Sequence, residues 1–99
     1  MKQKKEKFVK YDQGKLRYDL MPQKVLEQVV DVLTYGANKY SPDNWKNCPE
    51  PDKRYYSALM RHVEKHRSGE FLDKESGKPH LAHAICCLTF MLESANMKK

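Results

Sequence analysis

The four histidines of this 99-residue chain fall in one short stretch, as two pairs. His62 and His66 are four residues apart and His80 and His83 are three apart, so each pair would share one face of a helix. Imidazole changes charge near neutral pH and can orient or deprotonate a water molecule. The spacing predicts that these rings can meet in one pocket. A ring bonded to a backbone carbonyl is the alternative for each of them.

Two carboxylates, Glu70 and Asp73, lie between the two histidine pairs, with Glu75 close behind. Carboxylate oxygens are the ligands that Mg²⁺ prefers, and Mg²⁺ often bridges a protein to substrate phosphates. We therefore expect Glu70 and Asp73 to be metal ligands. The other close pair, Glu27 and Asp31, is predicted to lie on the solvent face of its helix.

Zinc is the alternative metal, because His80, His83 and Cys87 would fall on one helix face. Their spacing spreads three ligands along the helix and is not a standard structural zinc signature. We expect no structural zinc, and we expect Cys86 and Cys87 to be small core residues.

Groups suited to a nucleotide are spread along the chain. Lys15, Arg17 and Lys39 could neutralise phosphate oxygens, while Asn44 and Trp45 could read and stack on a base. A core position is the alternative for Trp45. No P-loop, HExxH or nucleophile-elbow motif occurs, and the absent P-loop argues against the common ATPase class.

The elements that position these residues are predicted to be helices only. Apolar residues recur with helical periodicity, Pro22 and Pro79 suit helix starts, and no stretch alternates as a strand would. The fold class is therefore all-α, with three main helices and long loops. The helices are predicted at residues 23–39, 53–68 and 79–95, with loops at 40–52 and 69–78. Residues 1–10 are predicted to be a flexible basic arm, and residues 11–97 a single domain.

Charge and composition exclude several classes of protein. The net charge is +6, but the excess lies in the lysine-rich start and in Lys98 and Lys99, so the nearly neutral body disfavours a nucleic-acid partner. The longest apolar run, at residues 82–92, is too short to cross a membrane, and the start has no secretory signal. Three cysteines without framework spacing favour reduced thiols in a cytoplasm.

The third predicted helix is apolar around most of its circumference. A helix of that kind is buried, and a chain this small cannot easily cover it on all sides. We therefore expect a homodimer in which the helix packs on its mate, giving a dimeric helical bundle.

Four phrases in this order carry a family resemblance: residues 14–20 (GKLRYDL), 35–45 (YGANKYSPDNW), 54–62 (RYYSALMRH) and 69–84 (GEFLDKESGKPHLAHA). Together they resemble the phage dATP/dGTP diphosphohydrolase domain, which is similar to MazG-type all-α nucleotide pyrophosphohydrolases. The resemblance spans about residues 11–92. It implies a bacteriophage or bacterial source, and Mg²⁺-dependent hydrolysis of dATP or dGTP to monophosphate and pyrophosphate.

The resemblance also suggests roles in the reaction. Glu70 and Asp73 would hold Mg²⁺, with Mn²⁺ as the alternative ion, and His62 or His83 would orient or deprotonate the attacking water. One departure is clear: MazG-type enzymes carry ExxE and ExxD on consecutive helices, whereas Glu70 and Asp73 fit ExxD in a predicted loop and no ExxE precedes them. The alternative function is therefore a non-catalytic nucleotide-binding or phage host-takeover factor on the same fold.

Overall fold

The computed structural model describes residues 6–98, and within that range the fold is all-α, as predicted. Helix α1 spans Gln23–Lys39, α2 spans Pro51–Arg67 and α3 spans His80–Met97. Two short 3-10 turns, Tyr18–Leu20 and Asn44–Asn47, lie in the connecting segments. Among the described residues there is no strand, only an isolated antiparallel bridge between Leu72 and Pro79.

The helix bounds differ from the prediction only at the ends. Helix α1 has the bounds predicted from its periodicity. Helix α2 begins earlier than expected, because Pro51 has the fixed φ that suits a first helical position. The preceding loop is correspondingly shorter and contains the 3-10 turn Asn44–Asn47. Helix α3 begins directly after Pro79 and continues to Met97.

The core is thin and is centred on α3, which packs against both α1 and α2. Val32 of α1 is buried against Ala82 and Cys86 of α3. Cys86 and Cys87 are free thiols, and burial raises their pKa to about 12 and about 11 respectively. Both therefore act as small, protonated core side chains, as the sequence suggested.

One face of α3 is left uncovered by residues 6–98. Four large apolar side chains on this face are exposed, and their spacing places them in one stripe along the helix. We call these residues the α3 stripe: Leu81, Ile85, Leu88 and Leu92. Leu88 is 50% exposed and Leu92 is 65% exposed. A helix that is apolar nearly all round thus has only part of its surface buried by its own chain.

The described part of the N-terminal segment, residues 6–21, bonds only to itself. Its hydrogen bonds and ion pairs, such as Arg17 with Asp19 and Lys15 with Asp12, stay within the segment. Its apolar side chains are exposed, among them Leu16 and Tyr18 at 80% and 81%. The predicted basic arm falls partly outside the described residues, at 1–5, and residues 6–10 are exposed.

Deleting residues 1–9 is expected to leave the melting temperature and any hydrolysis nearly unchanged. Residues 6–9 are exposed, and no hydrogen bond of theirs is found among the described residues. Thermal unfolding and activity of the truncated and full-length chains check this. A truncated chain that folds but loses activity would mean that the arm belongs to the site.

Candidate active site

The candidate site is built around the loop between α2 and α3. Gly69 adopts a φ of 107°, which lets the chain leave α2 while Glu70 N–H bonds back to the Lys65 carbonyl at 3.0 Å. A tight turn follows, closed by Gly77 N–H on the Asp73 carbonyl at 2.7 Å. The sequence placed Glu70 and Asp73 in a loop, and the structure shows that backbone hydrogen bonds order this loop.

Helix α1 ties the same loop from the other side. The Tyr35 hydroxyl donates to Glu75 Oε2 at 2.8 Å, and Lys39 forms an ion pair with the same carboxylate. Lys78 Nζ lies 2.8 Å from Asp31 Oδ2, so Asp31 is paired as well as exposed. The hydrogen bond to Glu75 raises the pKa of Lys39. Lys39, expected to contact substrate phosphate, therefore already has a carboxylate partner.

A hydrogen-bonded chain joins Glu70 to two histidines. Glu70 Oε2 lies 2.7 Å from His80 Nε2, and His80 Nδ1 lies 2.9 Å from His62 Nδ1. An ionised carboxylate only accepts, so His80 donates from Nε2, and in the neutral ring Nδ1 then offers a lone pair. His80 is 3% exposed, so the central ring of this hydrogen-bonded chain is buried.

His83 lies beside this chain and forms its own contacts. Its ring stacks on His62 with centroids 4.6 Å apart, and its Nε2 is 2.7 Å from the Ser76 hydroxyl. Burial, followed by neighbouring charges, lowers the pKa of His62, and burial lowers that of His83. Both rings are therefore neutral at neutral pH, the form in which imidazole accepts a proton.

Glu70 and Asp73, two of the three carboxylates of the loop, are both ionised. Burial opposes ionisation of Asp73, but hydrogen bonds from Ser76 and the nearby imidazoles give a net lowering of its pKa. The Ser76 backbone N–H donates to Asp73 Oδ2 at 2.9 Å. The hydrogen bond from His80 lowers the pKa of Glu70. Two negative carboxylates next to neutral imidazoles form a donor set that can hold a divalent cation.

The metal-donor atoms that converge differ from the predicted sets. Ligand atoms of His62, Asp73 and His80 all lie within 4.8 Å of one another. Glu70 is not in this group, because its Oε2 is bonded to the far side of the His80 ring. The zinc alternative of His80, His83 and Cys87 is not assembled in the described chain, since His83 turns to Ser76.

Two cavities of different character adjoin the donor atoms. The larger, about 1050 Å³, is walled by side chains of all three helices and of the 40–45 segment, including Leu33, Trp45, Tyr55 and Phe90. The smaller, about 310 Å³, is lined by charged side chains and imidazoles, with three cations against two carboxylates: Arg61, His62, Lys65, Glu70, Asp73, Lys74 and His80. Three residues line both, so the cavities meet at Arg61, His62 and Asp73.

The structure brings most of the candidate residues to these cavities. The larger is lined by Lys39, Asn44, Trp45, His62, Asp73 and His83. Trp45 stacks on Phe90 at 5.0 Å and 14°, so one ring face is used in packing and a base could reach only the other. Lys15 and Arg17 line neither cavity and lie on the exposed N-terminal segment.

Sequence reasoning missed the cations of the small cavity. Arg61 and Lys65 are one helical turn apart on α2, and Arg61 directly precedes His62. That spacing beside a candidate histidine was the available signal, although charges at such positions more often form a solvated face. Two further contacts were also missed: Ser76 bonds to His83, and Tyr35 bonds to Glu75 of the loop. In the sequence, nothing marked these two residues except that they lie within the resembling phrases.

The family of the chain follows from comparison with known proteins. Residues 5–99 match the family described as dATP/dGTP diphosphohydrolase, N-terminal. A dATP/dGTP diphosphohydrolase of Salmonella phage PMBT28 is 35% identical over 83 residues, which is 84% of this chain and 28% of that protein. The chain belongs to the dATP/dGTP diphosphohydrolase N-terminal family, as the resemblance indicated. The present chain spans under a third of the length of this phage relative.

No solved structure matches the chain. None of the helices in the described part is both long and apolar enough to cross a membrane.

Proposed function

We propose that this domain hydrolyses dATP and dGTP to the monophosphate and pyrophosphate. The observation that carries the proposal is the meeting of a large, mostly apolar cavity with a small cationic one at Arg61, His62 and Asp73. A nucleotide has the same division, with an apolar nucleoside at one end and a charged triphosphate at the other. The family and the phage relative's name support the same substrate class.

The nucleoside is proposed to lie in the larger cavity. Its aromatic wall, with Trp45 and Tyr55, suits a purine ring, and the Asn44 amide can both donate to and accept from a base edge. The triphosphate then extends into the small cavity, where Arg61, Lys65 and Lys74 supply positive charge. This placement leaves the α-phosphorus near the junction of the two cavities.

The junction provides groups for attack by water. His83 is neutral, held by Ser76 and stacked on His62, so either ring can orient a water molecule and accept its proton. Glu70 and Asp73 are ionised carboxylates of the small cavity and would hold Mg²⁺, with Mn²⁺ as the alternative. Such an ion, when bound, neutralises phosphate charge and acidifies water. Arg61 is placed to stabilise the pyrophosphate as it leaves.

The test is a screen of ribo- and deoxynucleoside triphosphates with Mg²⁺ or Mn²⁺, with detection of pyrophosphate. We expect release from dATP and dGTP, with much slower release from pyrimidine nucleotides. A chelator should abolish it. Tight nucleotide binding without pyrophosphate from any substrate would instead favour the alternative of a non-catalytic nucleotide-binding or host-takeover factor.

We also propose that the domain is a homodimer, with the α3 stripe at the interface. The stripe repeats with the i, i+4, i+7 spacing of helix–helix packing, and nothing in the described chain covers it. The free thiols are compatible with the reducing cytoplasm that we propose as its location, that of the host if a phage encodes the protein.

Placing a charge at Leu88 tests the dimer. The wild-type chain should sediment at about twice 11.7 kDa at micromolar concentration. Leu88→Glu should give monomers or unfold the chain, because a buried unpaired charge costs several kcal/mol. Thr89→Glu, at an exposed neighbouring position, should leave the dimer intact. A monomeric wild type would contradict the proposal.

We propose that Lys15 and Arg17 bind substrate phosphate in the active site of the other chain of the dimer. Within residues 6–98 their segment bonds only to itself, and its apolar side chains are exposed. Mixing Arg17→Ala chains with Asp73→Asn chains should then restore activity, because each mixed dimer has one complete site. Random pairing predicts about a quarter of wild-type activity. A mixture as inactive as its components would place these residues in their own chain's site or outside it.

A further inference from the structure

We propose that His62 Nδ1, His80 Nδ1 and an Asp73 carboxylate oxygen form a binding site for one transition-metal ion of the Mn²⁺–Zn²⁺ series. This site deepens the proposed function, on which its catalytic role rests, although the binding itself can be measured without any substrate. With His62 as a ligand, His83 is the ring that remains to accept a proton from water. The site differs from a magnesium site held by Glu70 and Asp73, because two of its three donors are nitrogen atoms.

The donor atoms are already together in the described structure. The two Nδ1 atoms are 2.9 Å apart, and the set including Asp73 fits within 4.8 Å. The three residues come from three elements, namely α2, the loop and the start of α3. Two imidazoles and one carboxylate around one point match the first coordination shell of many catalytic metal sites.

The residues behind the donors have the arrangement expected around a metal ion. Ligating histidines commonly donate their other ring N–H to a carboxylate, which fixes the tautomer and directs the lone pair at the metal. Glu70 makes this contact with His80 Nε2 at 2.7 Å. The Ser76 backbone N–H fixes Asp73 Oδ2 at 2.9 Å, which leaves the other oxygen for a ligand.

Donor chemistry selects the class of ion. Imidazole nitrogen suits transition metals, whereas Mg²⁺ is held almost entirely by oxygen. The three donors line the small cavity together with Arg61 and Lys65, so the remaining coordination positions face a cationic space. A metal site with three protein ligands and an open side is typical of catalysis rather than of structure.

The rival arrangement is a hydrogen bond between the two rings. With its proton on Nδ1, His62 would donate to the His80 lone pair, and the pair would need no metal. The two arrangements make opposite predictions for an added metal ion, which either replaces this proton or finds no site.

Titration with Co²⁺ decides between them, because Co²⁺ bound by nitrogen and oxygen ligands absorbs visible light. Protein freed of metal by a chelator should bind one Co²⁺ per chain, with ligand-field bands that persist in excess Mg²⁺. His62→Gln should lose the bands. His66→Gln, one turn along the same helix and outside the donor group, should keep them. Circular dichroism checks that each variant is folded.

A positioning role for Glu70 is tested in the same way. Glu70→Gln should weaken Co²⁺ binding by roughly 10–100-fold while retaining the bands, because it loosens a ligand without removing one. Asp73→Asn should change the band pattern, which gives a second variant if His62→Gln does not fold. Absence of bands in the wild type, their loss to Mg²⁺, or unchanged bands in folded His62→Gln would each overturn the site.

The outcome separates this inference from the proposed function. Co²⁺ binding as described, with no hydrolysis of any nucleotide, would leave the site in place and overturn the hydrolase. Hydrolysis with Mg²⁺ and no Co²⁺ bands would overturn the transition-metal site and leave the hydrolase.

Discussion

Replacing Asp73 by asparagine is expected to abolish hydrolysis while leaving the melting temperature almost unchanged. Among the described residues that line both cavities, Asp73 is the one carboxylate, and the substitution removes its charge. Loss of about 4 kcal/mol of metal and phosphate stabilisation corresponds to a roughly 1000-fold slower reaction. The asparagine carbonyl can still accept the Ser76 N–H, so the loop should keep its structure.

The matched control for Asp73 is Glu64→Gln. Glu64 is an exposed carboxylate on α2 that pairs with Arg67 at 3.5 Å and lines neither cavity. It should keep wild-type kcat and KM. Rates under saturating metal, together with thermal unfolding of both variants, complete the comparison. Full activity in Asp73→Asn would remove this carboxylate from the mechanism.

Replacing Arg61 by alanine is expected to lower kcat/KM by roughly 10–100-fold, the effect of losing one charge-assisted bond to phosphate. Arg61 lines both cavities, where a triphosphate would pass from one to the other. Arg61→Lys should recover only part of the loss, because an ammonium cannot form the guanidinium's paired hydrogen bonds.

Arg67→Ala is the control for Arg61, since Arg67 is an exposed arginine on the same helix and lines neither cavity. It should have kinetic constants close to those of the wild type. Equal losses in the two variants would indicate a general effect of positive charge. An Arg61→Ala variant with the kinetic constants of the wild type would contradict the proposed path of the triphosphate.

The helices could be predicted from sequence because their signals are local. Periodic apolar residues and a preceding proline define α1, and Pro79 marks the start of α3. Both signals lie within the element that they specify. The apolar circumference of α3 likewise predicted a surface that the described part of the chain leaves exposed.

The contacts of the site could not be predicted from sequence, because they depend on how the loop turns. The Glu70–His80 bond needs the turn that Gly69 and Gly77 allow with positive φ. Spacing on one helix grouped His80 with His83, but it could not show that His80 would meet His62 of α2 through Nδ1 while His83 stacks on the same ring. Periodicity within a helix cannot show which neighbour a side chain will meet.

The ion pair of Lys39 could not be predicted from the sequence either. Its position beside Tyr40 suggested a phosphate contact, but Glu75, thirty-six positions along the chain, lies within ion-pair distance. Pairing over such a separation depends on the packing of the loop against α1. Arg61, to which the sequence analysis gave no role, lines the space where positive charge is needed.

The most direct test of the central claim is phosphorus NMR of dGTP during turnover in ¹⁸O-labelled water. Attack on the α-phosphorus predicts dGMP and pyrophosphate as the products, with the label in dGMP. The label in pyrophosphate, the formation of dGDP with orthophosphate, or the release of intact tripolyphosphate would contradict the proposed reaction.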